Sequence, residues 1–271
     1  HLLNTTIKKV DDALEGYRFN EAANTIYEFW WHEFCDWYVE LVKQRIYGKG
    51  NTGAESSHTA KQVLFHVLKK GLQLLHPFMP FITEEIWQKI KDTDEGDIIV
   101  SQWPVFNENF AFENESRYTE TFKEIVYKIR NVRGEMNIAP EKKADVVFRT
   151  SSALISEVVN SEALHIQALA KVESISLDAA YSPDKTDASA VMADAEIFLP
   201  LKGLIDVEKE KARLEKETGR ISTELEKVNA KLTSENFIGR APADVIEKER
   251  LKQKEYSEML SRLKESISKL S

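Results

Sequence analysis

Two runs of apolar residues near the end of the chain, each stepping alternately by three and four, limit the fold more than any other feature. The first is Leu204, Val207, Leu214, Ile221, Leu225, Val228 and Leu232, with only Lys211 and Thr218 out of character in the register. The second is Ile246, Tyr256, Leu260, Leu263, Ile267 and Leu270. Such a spacing, held over several heptads, predicts a coiled-coil seam along an α-helix. Between the runs lies a short stop, Ser-Glu-Asn-Phe-Ile-Gly-Arg-Ala-Pro over 234–242. A Gly/Pro interruption of this length turns one long rod into an antiparallel pair. With a bend near Ile238, Ile221 is expected opposite Tyr256, Leu214 opposite Leu263 and Thr218 opposite Leu260. About 28 residues per limb, rising 1.5 Å each, make an arm of roughly 40 Å. An arm of this kind encloses no small-molecule site. It reaches, and it presents charge to something large.

The charge is unevenly placed. The chain carries a net charge of -8, from 37 basic and 45 acidic residues. Residues 206–271 hold 15 basic and 14 acidic side chains, leaving 22 and 31 for the remainder. The arm therefore escapes the acidic bias, and a basic stripe along one side is compatible with its total. The single cysteine, Cys35, excludes an intrachain disulfide and a multi-thiolate metal site, and fits a reducing cytoplasm. Its neighbours Trp30, Trp31, Phe34 and Trp37 predict a buried, inert thiol. No apolar run reaches the ~18 residues that a membrane span needs, and the start of the chain lacks the pattern of a secretory signal. A cytoplasmic protein with no membrane partner is expected.

Before the arm, the pattern changes once. Residues 1–140 predict a helical bundle. Leu3, Ile7, Val10 and Leu14 form one apolar face, ending at Gly16. Phe19, Ala23, Ile26, Trp30, Trp37 and Leu41 mark a longer helix running to about Ile46. A polar connector over 47–58 is followed by a helix capped at Thr59 that breaks at His76-Pro77. Pro80 and Thr83-Glu84-Glu85 begin a short helix through Ile90, with Thr83 as cap. Tyr118, Phe122, Ile125, Ile129, Val132 and Met136 give a last helix before Pro140. Residues 141–203 read as a small α/β module: strands at 145–150, 172–177 and 190–199, and a helix at 151–170 with Ser151 or Ser152 as cap. The fold class expected is mainly α: an antiparallel helical bundle, a small α/β linker module, and an antiparallel coiled-coil hairpin over 204–271.

Catalytic signatures are absent. The sequence contains no His-Glu-x-x-His, Cys-x-x-Cys, Gly-x-Ser-x-Gly or Gly-x-Gly-x-x-Gly. Glu84 and Glu85 are adjacent, so a helix does not aim both at one substrate. Trp30, Trp37 and Trp87 fall at helical spacing among apolar residues and are expected in the core rather than as base-stacking platforms. No catalytic residue, no metal ligand and no cofactor of its own is assigned to this chain.

Several segments resemble the class I aminoacyl-tRNA synthetases, and among them the valyl-tRNA synthetases. They are Tyr27-Glu28-Phe29-Trp30-Trp31-His32-Glu33-Phe34-Cys35-Asp36-Trp37-Tyr38-Val39-Glu40, His76-Pro77-Phe78-Met79-Pro80-Phe81, and Ile129-Arg130-Asn131-Val132-Arg133. The His-Pro-Phe-Met-Pro-Phe stretch is shared by the valine, isoleucine and leucine enzymes. The Phe-Cys-Asp-Trp-Tyr segment and the turn Ala241-Pro242-Ala243-Asp244-Val245-Ile246-Glu247-Lys248-Glu249-Arg250 are similar to the valine group in particular. The family's ATP-binding signatures, of the His-Ile-Gly-His and Lys-Met-Ser-Lys-Ser types, do not occur. The resemblance therefore implies the C-terminal part of a longer, monomeric enzyme that uses ATP and Mg to join valine to tRNA(Val). The alternatives are the same region of an isoleucyl- or leucyl-type synthetase, or a non-catalytic coiled-coil interaction protein.

The resemblance also implies where tRNA lies: the bundle against the anticodon stem-loop, the arm against the outer corner of the L. In the arm, Arg250 matches the family position at that corner, and Lys248, Lys252, Lys254 and Arg240 are candidate phosphate contacts beside it. In the bundle, Val39 and Lys43 are the anticodon-side candidates, with Gln44 and Arg45 behind them.

Overall fold

The computed structural model of the chain describes residues 1–47, 53–204, 207–234 and 242–269. It divides into two compact units, His1–Arg117 and Tyr118–Ser271.

The first unit is helical. Ile7, Val10 and Ala13 line one face of α1 (Leu2–Glu15). They are buried with Ala22 and Ile26 of α2 (Phe19–Glu28) and Leu74 of α4 (Ala54–Leu75). Apolar positions three and four apart give each helix one stripe to bury, and the three stripes close on each other. α2 continues without a break into a π-helical segment, Phe29–Val39, and then α3 (Glu40–Ile46). The helix expected over 19–46 is thus continuous but widened in its middle. Phe29 stacks on Phe34, five residues on, at 6.4 Å, and Trp30 meets Phe34 edge-on at 5.2 Å. Residues five apart are neighbours in a π-helix, so the bulky run Phe-Trp-Trp-His-Glu-Phe fits the wider turn.

Three local expectations are corrected in this unit. Cys35 is exposed, because the turn that buries Phe34 and Trp37 rotates it outward. Partial burial and the adjacent Asp36 carboxylate raise its pKa, which disfavours the reactive thiolate. Thr59 lies inside α4, donating to the Glu55 carbonyl at 3.0 Å, and the helix starts after Gly53, which is extended. Thr83 also lies inside its helix, α5 (Pro80–Ile90). Pro80 sets the start, and the buried Thr83 hydroxyl bonds back to the Met79 carbonyl at 2.8 Å. Trp37 and Trp87 are core residues as expected, and Trp30 is partly buried with its indole N–H 3.3 Å from the Gly71 carbonyl.

The unit boundary falls inside α6 (Glu113–Glu135). The second unit holds a four-stranded sheet in the order β2-β1-β4-β3. β1 (Ala144–Thr150) runs parallel to β2 (Val172–Leu177) and antiparallel to β4 (Ala195–Pro200), with Val147 opposite Phe198. The strand expected at 190–199 is two: β3 (Asp187–Val191) folds back on β4 through a tight turn at Met192, whose N–H donates to the Ala195 carbonyl at 2.8 Å. The helix expected over 151–170 is also two, α7 (Ala153–Ser161) and α8 (Ala163–Ala170), breaking at Glu162. Ser152 caps α7 by accepting from the Ile155 N–H at 3.5 Å. Phe148, Val158, Ile166, Ile197 and Leu199 are sealed from solvent.

Arginines on α6 brace this module. Arg133 donates to the carbonyls of Lys142 at 2.7 Å, Lys171 at 3.0 Å and Ala139 at 3.3 Å, and Arg130 to that of Leu169 at 2.9 Å. Two long helices end the unit, α9 (Val207–Thr233) and α10 (Ala243–Lys269). The mainly α architecture with a small mixed sheet is the one expected.

Candidate nucleic-acid interface

The arm is held by the predicted seam. Among the described side chains of α9, Leu214, Ile221 and Val228, one heptad apart, are the buried apolar residues. On α10 the register running back from Tyr256 passes through Gln253 and Glu249, two polar residues. Gln253 donates to the Asn229 side chain across the pair at 2.6 Å. Glu249 is 7% exposed and accepts from Lys252 at 2.9 Å and from Lys231 of the facing helix at 3.4 Å. The two lysines hold its carboxyl below the usual range, Lys252 foremost. These two cross-links pair α9 and α10 antiparallel.

The arm candidates separate onto two faces. Lys248, Arg250, Lys252 and Lys254 are all exposed, but two residues along a helix turn the side chain by about 200°. Lys248 and Lys252, one turn apart, flank the seam on the side where Lys231 reaches Glu249. Arg250 and Lys254 flank it on the opposite side, where Asn229 meets Gln253. Among the described residues, the heads of Lys248, Arg250 and Lys254 make no ion pair. Arg240 lies outside the described residues.

A strip that reading α10 alone misses runs along α9. Lys209, Arg213, Lys216, Arg220, Lys227 and Lys231 fall within an arc of about 60° at 100° per residue, and all are exposed. Their spacing of 4, 3, 4, 7 and 4 is visible in the sequence once positions are placed on a helical wheel. Glu217 and Glu224 lie between strip and seam, paired with Arg220 and Lys227 at 2.6 Å each. Glu208, Glu215 and Glu226 occupy the other flank of α9.

In the first unit, Val39 ends the π-helical segment and is half-buried. Lys43 is exposed and paired with Glu40. Arg45 is committed to structure, donating to the Ser56 hydroxyl at 3.0 Å and the Ser56 carbonyl at 3.1 Å. The side chain of Gln44 lies outside what is described. Upstream on the same continuous helix, Tyr27 and Trp31 are exposed with rings stacked at 6.4 Å. His32 sits between Asp36 at 3.5 Å and Glu28 at 3.9 Å. Among the described residues, no three His, Cys, Asp or Glu side chains gather as a metal site. No described helix is long and apolar enough to cross a membrane.

Residues 1–148 match the family model described as the anticodon-binding domain of tRNA ligase, and residues 206–271 match that of the valyl tRNA synthetase tRNA binding arm. The chain is similar to the valine–tRNA ligase of Enterococcus faecalis, 36% identical over 99% of this chain and 30% of the relative. It is similar to that of Carboxydothermus hydrogenoformans, 42% identical over 92% and 28%, and to that of Aquifex aeolicus, 37% identical over 99% and 24%. The chain thus spans less than a third of the length of the curated relatives it matches, and corresponds to their C-terminal part. By these matches the chain belongs to the family of tRNA-ligase anticodon-binding domains, followed by a segment of the valyl-tRNA synthetase arm family.

Proposed function

We propose that this chain is the tRNA-holding C-terminal part of a valine–tRNA ligase, positioning tRNA(Val) for aminoacylation by a catalytic part outside it. In this reading 1–140 faces the anticodon, 141–203 connects, and 204–271 reaches the outer corner of the tRNA. ATP and Mg serve the parent enzyme, which works as a cytoplasmic monomer. The observation that carries the reading is the match to valine–tRNA ligases at 36–42% identity across nearly the whole chain, arm included. The arm weighs against an isoleucyl- or leucyl-type parent, since residues 206–271 match the valyl arm model. Physically, a long exposed hairpin with dense lysine and arginine suits a polyanion, because each phosphate contact releases condensed counterions.

The test is a gel-shift titration of the whole chain with a valine tRNA transcript at several salt concentrations. For roughly four phosphate contacts, affinity is expected to fall about 100-fold between ~50 and ~200 mM salt. Equal affinity for an unrelated RNA hairpin of the same length would remove the tRNA assignment. No binding at low salt, together with arm-dependent self-association, would replace it with a protein-docking coiled coil.

A further inference from the structure

The arm is two-faced in charge, and the faces are set by the antiparallel pairing rather than by either helix alone. Lys231 and Lys252 converge on Glu249 from opposite helices. That contact puts the whole basic strip of α9 on the same face of the hairpin as Lys252 and Lys248. The other face carries Glu208, Glu215 and Glu226 of α9 beside Arg250, Lys254 and Glu247 of α10. One face is thus strongly basic and the other mixed, although the arm as a whole is near neutral.

Resting on the tRNA-binding reading above, we propose that the phosphate-contacting face of the arm is the α9 strip, centred on Lys216, Arg220 and Lys227, with Lys252 and Lys248 at its edge. Arg250 and Lys254 point away from the RNA. Three observations carry this. The strip's six cations are all exposed and lie along about 33 Å of one helix, on the order of a duplex turn. Of the carboxylates on this face, Glu217 and Glu224 are bound to Arg220 and Lys227, and Glu255 of α10, one heptad beyond Lys248, lies near Lys252, so the cations still outnumber them. Exposed i,i+3 pairs of this kind are weak, so a phosphate oxygen competes for the same N–H donors. On the opposite face the carboxylates of Glu208, Glu215 and Glu226, which make no ion pair among the described residues, offset the charge of Arg250 and Lys254 and would repel phosphate.

The experiment compares two variants of the whole chain in the same titration. Lys216→Gln/Arg220→Gln/Lys227→Gln is expected to weaken tRNA binding at least tenfold and to reduce the salt slope by about 2, the loss of three phosphate contacts at 0.7–0.9 each. Arg250→Gln/Lys254→Gln is expected to stay within twofold of the parent chain. Circular dichroism checks that each variant keeps its helix content. The charge-keeping Arg220→Lys/Lys227→Arg pair, which leaves the face basic, is expected to bind normally. If the Arg250/Lys254 variant loses affinity and the α9 variant does not, the face is the other one, and the tRNA reading stands. If both bind like the parent chain, the arm makes no phosphate contact on either face and the proposal falls. If the parent chain itself does not bind tRNA, the functional reading falls first.

Discussion

Arg133 is only 7% exposed, yet its charge meets three backbone carbonyls rather than a carboxylate. Burial lowers its pKa, and the donors of the planar fork replace water by reaching carbonyls on three separate stretches of chain. Arg133→Ala is therefore expected to cost about 3 kcal/mol, because it leaves the Lys142 carbonyl without its donor and takes one of two donors from the Lys171 and Ala139 carbonyls, which keep the backbone N–H of Ala144 and of Lys142. Arg133→Lys should recover only part of this, as one ammonium does not span the three. Urea unfolding midpoints measure both. Tyr181 is the second residue with a measurable signature. Burial, then the hydrogen bond to Asp187 at 2.7 Å, push its phenol pKa up to about 12. A raised pKa of this kind gives stability that is complete below the ordinary value near 10 and is lost as pH climbs through about 12. Burial also raises Tyr38 and Tyr118, so spectrophotometric titration should show several late-ionising tyrosines, of which Tyr181→Phe removes one that titrates at about 12, and alkaline unfolding should begin later in that variant. Neither behaviour was legible beforehand. The segment Ile129-Arg130-Asn131-Val132-Arg133 stood out only as family resemblance, and the partners of Arg133 come from turns whose spatial closeness no periodicity encodes.

Among the elements, two helix-interior glycines illustrate opposite needs. A Cβ on Gly71 would lie 2.7 Å from the Trp30 ring, so α4 uses glycine to approach the π-helical segment. Gly71→Ala should cost about 1–3 kcal/mol through overpacking. Gly219, in α9, has nothing within 4 Å of such a Cβ. Beside it the Thr218 hydroxyl bonds back to the Leu214 carbonyl at 2.8 Å, an arrangement that loosens a helix. Gly219→Ala should stabilise the arm by about 0.5–1 kcal/mol, which a thermal melt followed by circular dichroism would detect. Element type was legible wherever the apolar period ran long, as in α1, α6, α9 and α10. It was misjudged where a period hid a break: the π-helical widening, the split of α7 from α8 at Glu162, and the β3–β4 hairpin. Helix starts were missed where a proline or an extended glycine, rather than Thr83 or Thr59, began the turn. The polar positions Glu249 and Gln253 lay in plain view in the seam register. A count of apolar residues passes over them, although their cross-helix partners on α9 are what tie the two limbs together.

For the whole molecule, a net charge of -8 would repel a polyanion at long range, so attraction has to be local and strongly screened by salt. This is why the salt slope is the decisive measurement for both the tRNA reading and the choice of arm face. The sequence by itself determined that the chain ends in an antiparallel helical hairpin and begins in a helical unit. It also determined that the hairpin escapes the acidic bias of the rest, and which family the chain resembles. These follow from periodicity, composition and local motifs, which act over a few turns of chain. The tertiary structure alone decided which charges share a face. Each helix places its own cations at a fixed angle, but the sign of a face depends on how two helices are turned about their common seam. That rotation is set by the buried contacts of Leu214, Ile221 and Val228 and by Glu249 held between Lys231 and Lys252, interactions between residues far apart in the chain.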